Sequence, residues 1–270
     1  MESNDIEWLK CNSFNFTADP FLFQIKGINY IACEVFDYTK GKGKLKCYDL
    51  QAQEQPFFVD INKIKGHKSY PMIFEHQDKT YLVPETSDLN CLSLYQYDNH
   101  LNKFIWIKNL LEGVDCIDSN IFHKDNCWYL FTSSAITPHQ QRLFTAHSLS
   151  GPFYEHPCSP IRDNIRGGRN AGKIIENDGS IYRLGQNCDG AYGKSIYVMN
   201  IDILTPEKYQ ESYLNEITPV KPFDEGLHTL SASNGKLIID AKIHTYYPTN
   251  FIKKLIFKIM GKFDLERQYD

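Results

Sequence analysis

Carboxylate side chains recur at equivalent points of several segments, and their spacing suggests a site for acid–base chemistry. Asp19 and Asp118 open two of these segments, while Glu34 and Glu85 each lie four residues beyond a tyrosine. Carboxyl groups gathered at one place can act as proton donor and as base or nucleophile when their pKa values differ. We therefore take these four residues as candidates for such a site.

Further polar residues occupy matching positions and form the candidate binding set. They are Glu34, His67, Tyr70, Arg169, Asn170, Gln186, His228 and Asp240. Polar residues that repeat inside otherwise apolar strands are typical of a ligand site at one mouth of a repeated structure. A simpler interpretation is that Asp19 before Pro20 and Asp118 before Ser119 are turn residues that bond their own backbone.

These residues belong to a repeat of roughly fifty residues. Segments that open near residues 19, 70, 118, 171 and 228 each contain an apolar run, a polar or glycine-containing turn and a second apolar run. In the first four, a tyrosine (Tyr30, Tyr81, Tyr129 or Tyr182) lies 11 residues beyond the opening. Alternating apolar residues and turns such as Asn177-Asp178-Gly179 predict β-hairpins.

A fifty-residue unit leaves room for two more strands, which is the length of a four-stranded propeller blade. We predict an all-β fold, a five-bladed β-propeller that forms a single domain over residues 1–248. In a blade, the first two strands are antiparallel, so the start of the first strand and the end of the second lie at the same face of the propeller. The candidate residues should therefore meet at one axial depression.

Residues 249–270 differ from the repeats and predict a basic amphipathic helix and tail. Thr249-Asn250 can cap the helix, after which seven apolar residues between 251 and 263 share one face and four lysines lie elsewhere. Such a helix can lie in the headgroup region of an anionic membrane. Alternatively, its apolar face packs on a blade or on a second subunit.

Composition narrows the class of protein. The chain has 270 residues and a formal net charge of −4, which is a poor match to a nucleic-acid partner. Its first residues lack the basic start and apolar run of a signal peptide, and no 18-residue apolar stretch follows. Eight cysteines without a C-x-x-C pair indicate reduced thiols rather than a structural zinc site. We expect a cytoplasmic protein.

Several motifs carry a resemblance to known families. The ADPF and IDSNIF segments resemble the five-bladed propellers of the arabinanase, levansucrase and invertase superfamily, including family 43 glycoside hydrolases. A closer likeness, from about residue 16 to residue 242, is to the N-terminal domain of plant glucosamine inositolphosphorylceramide transferase and its bacterial relatives. The motifs that carry it include KSYPMIFE, YLVPET, DSNIF, GPFYEHP, RNAG and YGKSIYVMNIDILTPEKYQE.

The resemblance implies roles for several residues. In the hydrolases, the blade-one aspartate is base or nucleophile, the blade-three aspartate orients the sugar and tunes pKa, and a later glutamate is the acid. Asp19 and Asp118 match the first two. The fourth repeat opens with Gly168-Arg169-Asn170-Ala171-Gly172 and offers no carboxylate. Glu85 or Glu34 would have to supply the proton from another blade, and the resemblance therefore makes Asp19, Asp118 and Glu85 the candidate catalytic residues.

Two cationic positions have alternative interpretations. The planar guanidinium of Arg169 suits phosphate or carboxylate, but it could also only neutralise neighbouring acids. The resemblance to some hydrolases allows His228 to hold an axial calcium or a water, although a lone histidine is more often a hydrogen-bonded core residue. We therefore expect no metal or other cofactor, with axial calcium as the exception.

The function expected from these features is transfer or cleavage of a glycosyl unit at the axial pocket. The resemblance suggests glycan or glycolipid assembly, with a glycan, sugar phosphate or lipid-linked sugar as substrate, although transferase chemistry in that family is usually assigned to a separate domain. One alternative is a glycoside hydrolase that uses Asp19 and a substituted acid such as Glu85. Another is a non-catalytic glycan-binding propeller.

Truncation after Pro248 tests the amphipathic segment. If lipid covers its apolar face, we expect truncation to leave the propeller folded and to abolish binding to anionic vesicles in a sedimentation assay. Added salt should weaken binding by the intact chain, because it screens the lysines. Vesicle binding that survives truncation would contradict the prediction.

Overall fold

The computed structural model describes residues 6, 15–37, 40–50, 57–58, 66–233 and 235–243. Within these ranges the protein is an all-β propeller in which each predicted hairpin is present. The only helical element among the described residues is a 3₁₀ turn, Ser87–Leu89. Within the same ranges, no helix has the length and apolar character needed to cross a membrane. The predicted C-terminal helix lies outside the described residues.

The first two blades are four-stranded antiparallel sheets whose strands follow chain order. Blade one contains β1 (Asn15–Ile25), β2 (Ile28–Asp37), β3 (Lys42–Asp49) and β4 (Phe57–Phe58). Blade two contains β5 (Ser69–His76), β6 (Lys79–Glu85), β7 (Cys91–Asp98) and β8 (Lys103–Glu112).

Blades three and four have five strands each, because two short strands fill the outermost position of blade three and the innermost position of blade four. Blade three contains β9 (Cys116–Lys124), β10 (Cys127–Ser134), β11 (Gln140–Ala146), β12 (Tyr154–Glu155) and β13 (Arg162–Asp163). Blade four contains β14 (Arg166–Asn170), β15 (Ile175–Asn177), β16 (Ser180–Asn187), β17 (Ser195–Leu204) and β18 (Tyr209–Ile217). A further two-stranded sheet contains β19 (Leu230–Ser233) and β20 (Lys236–Ile239).

The first strands of the sheets line the axis. Strand β1 packs against β5 and β19, β5 packs against β9, and β9 packs against β14. The ring continues from blade four to the two-stranded sheet through a bridge between Gly172 and Leu230. The structure therefore shows four blades and a smaller sheet in the position that follows them, and the count of five stays a prediction.

Apolar side chains fill the spaces between neighbouring blades. The cluster between blades one and two contains Phe23, Leu45, Ile73, Leu82, Tyr95 and Phe104. The cluster between blades three and four contains Tyr129, Phe131, Leu143, Ile174, Ile181 and Ile201. Burial of these aromatic and branched side chains is the main favourable contribution to folding, and it fixes the blade-to-blade geometry on which the axial residues depend.

The first strand of blades one to three is interrupted at the same point by a bulge. The residues at this point, Asp19, Tyr70 and Asp118, have φ of 51°, 41° and 46°. Just before each bulge the strand pairs with the end of the second strand, in the pairs Ala18–Glu34, Ser69–Glu85 and Ile117–Ser133. The equal spacing in the sequence therefore corresponds to one repeated local geometry. In blade four the pairing differs by one residue. Asn170 pairs with Gly185, whereas the position equivalent to Glu34 and Glu85 is Gln186.

Tyr70 crosses the axis from blade two to blade four. Its hydroxyl accepts the Gly172 N–H at 2.8 Å and donates to the Gly172 carbonyl at 3.0 Å, and the Asn120 amide donates to the hydroxyl at 3.0 Å. A Cβ at Gly172 would lie 1.7 Å from the Leu230 carbonyl oxygen, and its φ is 121°. Only glycine fits this close approach.

Tyr70→Phe should destabilise the propeller. Loss of the hydroxyl leaves the buried Gly172 N–H without an acceptor, so we expect the free energy of unfolding to fall by about 2 kcal/mol. Urea denaturation measures the change, with Tyr213→Phe on an exposed position of β18 as control. Equal stabilities of the two variants would contradict the role given to Tyr70.

Candidate functional site

Carboxylates of one blade accept backbone N–H groups from the next blade around the axis. The Asp19 N–H donates to Asp240 at 3.0 Å, the Tyr70 N–H donates to Asp19 at 3.3 Å, and the Asp118 N–H donates to Glu85 at 3.0 Å. The bulges free these N–H groups from the sheet ladder, and a buried N–H needs a partner. The structure thus brings the predicted carboxylates together.

Asp19, His228 and Asp240 form a compact triad. The two ring nitrogens of His228 lie 3.2 Å from Asp19 and 3.0 Å from Asp240. Burial would lower the pKa of His228, but the two carboxylates raise it well above its usual value. Burial would likewise raise the pKa of Asp19, but the hydrogen bond and charge of His228 lower it. The triad therefore holds an ionised Asp19 against a charged imidazole.

The same triad is the one group among the described residues with the geometry of a metal site, since its ligand atoms lie within 4.8 Å of one another. Calcium takes oxygen ligands, which the two carboxylates could supply, whereas a histidine ligand suits a transition metal. Each carboxylate already accepts hydrogen bonds from neighbouring groups, and Thr229 donates to Asp19 at 2.8 Å. The triad is thus satisfied as an ion-paired cluster, and metal binding stays a prediction.

Asp118 is held by blade four. The Arg169 Nε and the Gln186 amide both donate to Asp118 Oδ2, the latter at 3.1 Å, and the Asn170 amide donates to the Asp118 carbonyl at 2.7 Å. Burial raises the pKa of Asp118, and the Arg169 guanidinium opposes this rise. The pKa of Arg169 lies well above its usual value because Asp118 outweighs the effect of burial.

Arg169 is paired on one side only. Its Nε contacts Asp118, whereas its two terminal nitrogens make no hydrogen bond to any residue that the structure describes. The side chain is 18% exposed. Arg169 therefore does neutralise a neighbouring acid, as one interpretation of the sequence held, and it also presents donors that a ligand could use.

Glu85 and Glu34 lie in surroundings that favour their neutral forms. Burial, followed by the charge of Asp118, raises the pKa of Glu85 to about 8. Burial, followed by the charges of Asp19 and Glu85, raises the pKa of Glu34 to about 9. One oxygen of Glu34 is buried without a hydrogen-bond partner and lies 3.6 Å from His67 Nε2.

His67 is fixed in one tautomer by the backbone of blade one. The Gly43 N–H donates to its Nδ1 at 2.9 Å, so the proton of the neutral ring resides on Nε2, which faces Glu34. Burial lowers the pKa of His67. The Glu34 and His67 pair is therefore neutral near pH 7, in contrast to the charged Asp19 and His228 pair.

Sequence reasoning missed Tyr192, which stands over the site. It lies on the loop between β16 and β17, and its ring is 5.3 Å from the Arg169 guanidinium carbon and 5.4 Å from the His228 ring. The residue is 53% exposed. The signal was weak, because Tyr192 precedes Gly193 in a loop outside the repeated hairpin pattern.

The predicted residues and Tyr192 separate into three groups by exposure. Tyr70, Asn170 and Gln186 are completely buried and hold other groups in place. Asp19, Glu34, Glu85, Asp118 and Asp240 form a nearly buried layer of carboxyl groups. His67, Arg169, Tyr192 and His228 form the accessible layer. A ligand that enters from solvent would therefore contact cationic and aromatic side chains first.

A comparison with protein families gives a match over most of the chain. The family described as glucosamine inositolphosphorylceramide transferase 1, N-terminal, matches residues 8–226. Glucosamine inositolphosphorylceramide transferase 1 of Arabidopsis thaliana is 31% identical over 212 residues, which are 73% of this chain and 27% of that protein. The Oryza sativa subsp. japonica protein of the same name is 30% identical over 74% of this chain and 28% of its own length. The chain thus spans about a quarter of these relatives.

Solved structures with the same fold include carbohydrate-acting enzymes. An exo-β-1,3-galactanase from Clostridium thermocellum aligns with a TM-score of 0.57 and 14% identity, covering 87% of this chain and 53% of its own. A family 117 glycoside hydrolase from Zobellia galactanivorans has the same TM-score and identity, with 77% and 72% coverage. At this identity the likeness shows the propeller fold.

The raised pKa of Glu34 predicts a pH-dependent stability. Because the folded protein keeps this carboxyl protonated while the unfolded chain releases the proton above about pH 4.5, stability falls as pH rises towards 9. One such group lowers the free energy of unfolding by up to about 1.4 kcal/mol per pH unit. Glu34→Gln should remove its share of this slope.

Urea denaturation at pH 5, 7 and 9 measures the slope for the wild type and Glu34→Gln. Glu176→Gln, on an exposed position of β15, is the matched control and should keep the wild-type slope. Parallel pH profiles for all three proteins would show that Glu34 ionises normally.

Proposed function

We propose that this chain, which belongs to the family of the N-terminal domain of glucosamine inositolphosphorylceramide transferase 1, acts on a glycosyl bond at the axial cluster. The observation that carries the proposal is the placement of Asp19 and Glu85 at the start of β5, where Asp19 accepts the Tyr70 N–H and Glu85 lies opposite Ser69. The pKa of Asp19 lies below its usual value, whereas that of Glu85 is raised to about 8. Two carboxyl groups with separated pKa values are what acid and base roles require.

The roles follow from the protonation states. Glu85 is the proton donor to the leaving oxygen, because it is protonated near neutral pH. Asp19 is the charged group that acts as nucleophile or stabilises the positive charge that develops on the sugar. Asp118 accepts hydrogen bonds from Arg169 and Gln186, so it positions these two groups. Its negative charge also raises the pKa of Glu85.

The accessible layer, which includes Arg169 and Tyr192, favours transfer from a phosphate-bearing donor over simple hydrolysis. The terminal nitrogens of Arg169 are free to hold an anionic leaving group, and the exposed ring of Tyr192 offers an apolar face beside them. The names of the relatives and of the structural neighbours agree with a carbohydrate substrate. Hydrolysis is the alternative supported by the carboxyl pair itself.

We propose that β19 and β20 form the inner half of a fifth blade and that residues 1–248 fold as one domain. We also propose a cytoplasmic location with peripheral membrane contact through residues 251–263. If the triad holds calcium, the two carboxylates would supply its oxygen ligands, and His228 could bind only after losing its proton. The ion would then screen Asp19 from a phosphate.

Glu85→Gln tests the acid directly. Glutamine resembles the neutral carboxyl and can still accept the Asp118 N–H, so we expect the fold to persist and turnover to fall at least about 100-fold. The assay incubates the chain with sugar nucleotides and aryl glycosides and identifies the products, which separates transfer from hydrolysis. Glu176→Gln is again the control.

Asp19→Asn completes the test, with a thermal melt because Asp19 also accepts the Tyr70 N–H. We expect loss of turnover with retained ligand binding, and wild-type activity that declines above about pH 8 as Glu85 ionises. Sugar binding without turnover in the wild type would favour a non-catalytic glycan-binding propeller. Full turnover by either variant would contradict the assigned roles.

A further inference from the structure

A cavity lies beside β8, the outermost strand of blade two, away from the axial cluster. It has a volume of about 530 Å³ and lies between the end of β8 in blade two and the segment that leads into β12 in blade three. Its floor is formed by Leu110, Leu111 and Phe153, which belong to the buried core between these blades. Cavities of this volume are typical of small-ligand sites.

Trp106 forms an exposed wall of this cavity. The residue is 57% exposed, although tryptophan is among the side chains most favoured for burial. Its indole N–H donates to Asn109 Oδ1 at 3.4 Å, which holds the ring against the strand. A large apolar surface of the ring therefore faces solvent.

Polar groups stand in a fixed row beside the ring. Ser93 donates to Asn109 at 2.7 Å, and the Asn109 amide donates to Glu112 at 3.0 Å. Lys108 lines the same cavity. The rim thus offers an amide, a carboxylate and an ammonium group next to an aromatic face.

We propose that this rim cavity is a second carbohydrate-binding site, which takes a neutral pyranose unit of a glycan. A pyranose has an apolar face of C–H groups and an edge of hydroxyls, which match the Trp106 ring and the row of polar groups. Lys108 and Glu112 give the rim charges of both signs, which suits a neutral ligand better than a strongly charged one. This inference does not depend on catalysis at the axial cluster.

The test uses the full chain and three trisaccharide probes, β-1,3-galactotriose, cellotriose and N-acetylchitotriose. The chain has three tryptophans, and comparison with Trp106→Phe assigns the Trp106 indole N–H resonance in a ¹H–¹⁵N spectrum. We expect at least one probe to shift this resonance. Trp106→Ala should weaken the binding measured by calorimetry about tenfold.

Tyr213→Ala, which removes an exposed aromatic residue from the outer strand of blade four, is the matched control and should bind like the wild type. Thermal melts verify that each variant is folded. The proposal is overturned if no probe shifts the Trp106 resonance up to about 10 mM, or if Trp106→Ala binds as tightly as the wild type. It is also overturned if Trp106 instead mediates self-association, seen as a mass increase that Trp106→Ala removes.

Discussion

The arrangement of the sheets around the axis depends on hydrogen bonds from bulged backbone N–H groups of one sheet to carboxylates of the preceding sheet. Each first strand in blades one to three turns out of its ladder at one residue, which frees an N–H close to the axis. The acceptors are Asp240, Asp19 and Glu85. Because a buried N–H without a partner is costly, these acids are fixed by the fold before any ligand is considered.

This arrangement places several carboxyl groups close together at the axis. Each of them is either paired with a cation or held in its protonated form. Asp19 keeps its charge beside His228, and Asp118 is balanced by Arg169. Glu34 and Glu85 have no equally close cation, so burial and their neighbours hold them neutral. The difference in pKa that suits acid–base chemistry thus arises from the same crowding that joins the blades.

The repeat predicted much of this arrangement from the sequence. Equal offsets to the tyrosines located the hairpins, and the equivalence of Glu34 and Glu85 is confirmed by their pairing with Ala18 and Ser69. Aspartate adopts positive φ more readily than most residues, which suits Asp19 and Asp118, but the sequence could not predict the same conformation for Tyr70. Tyrosine in particular has no intrinsic preference for that conformation.

The sequence also could not predict how deeply the site residues are buried. Tyr70, Asn170 and Gln186 were expected to bind substrate, yet each lies beneath the surface and bonds to protein groups. Their positions followed from strand alternation, but depth at the axis depends on how tightly the blades approach. Tyr192 was missed because a loop residue has no periodicity to reveal it.

The central claim is that Asp19 and Glu85 are held in opposite protonation states at neutral pH. Titration of the carboxyl ¹³C resonances of these two residues in the intact protein tests it most directly. The account predicts a midpoint near pH 8 for Glu85 and a midpoint below the usual aspartate range for Asp19. Two midpoints in the ordinary range of exposed carboxyl groups would contradict it.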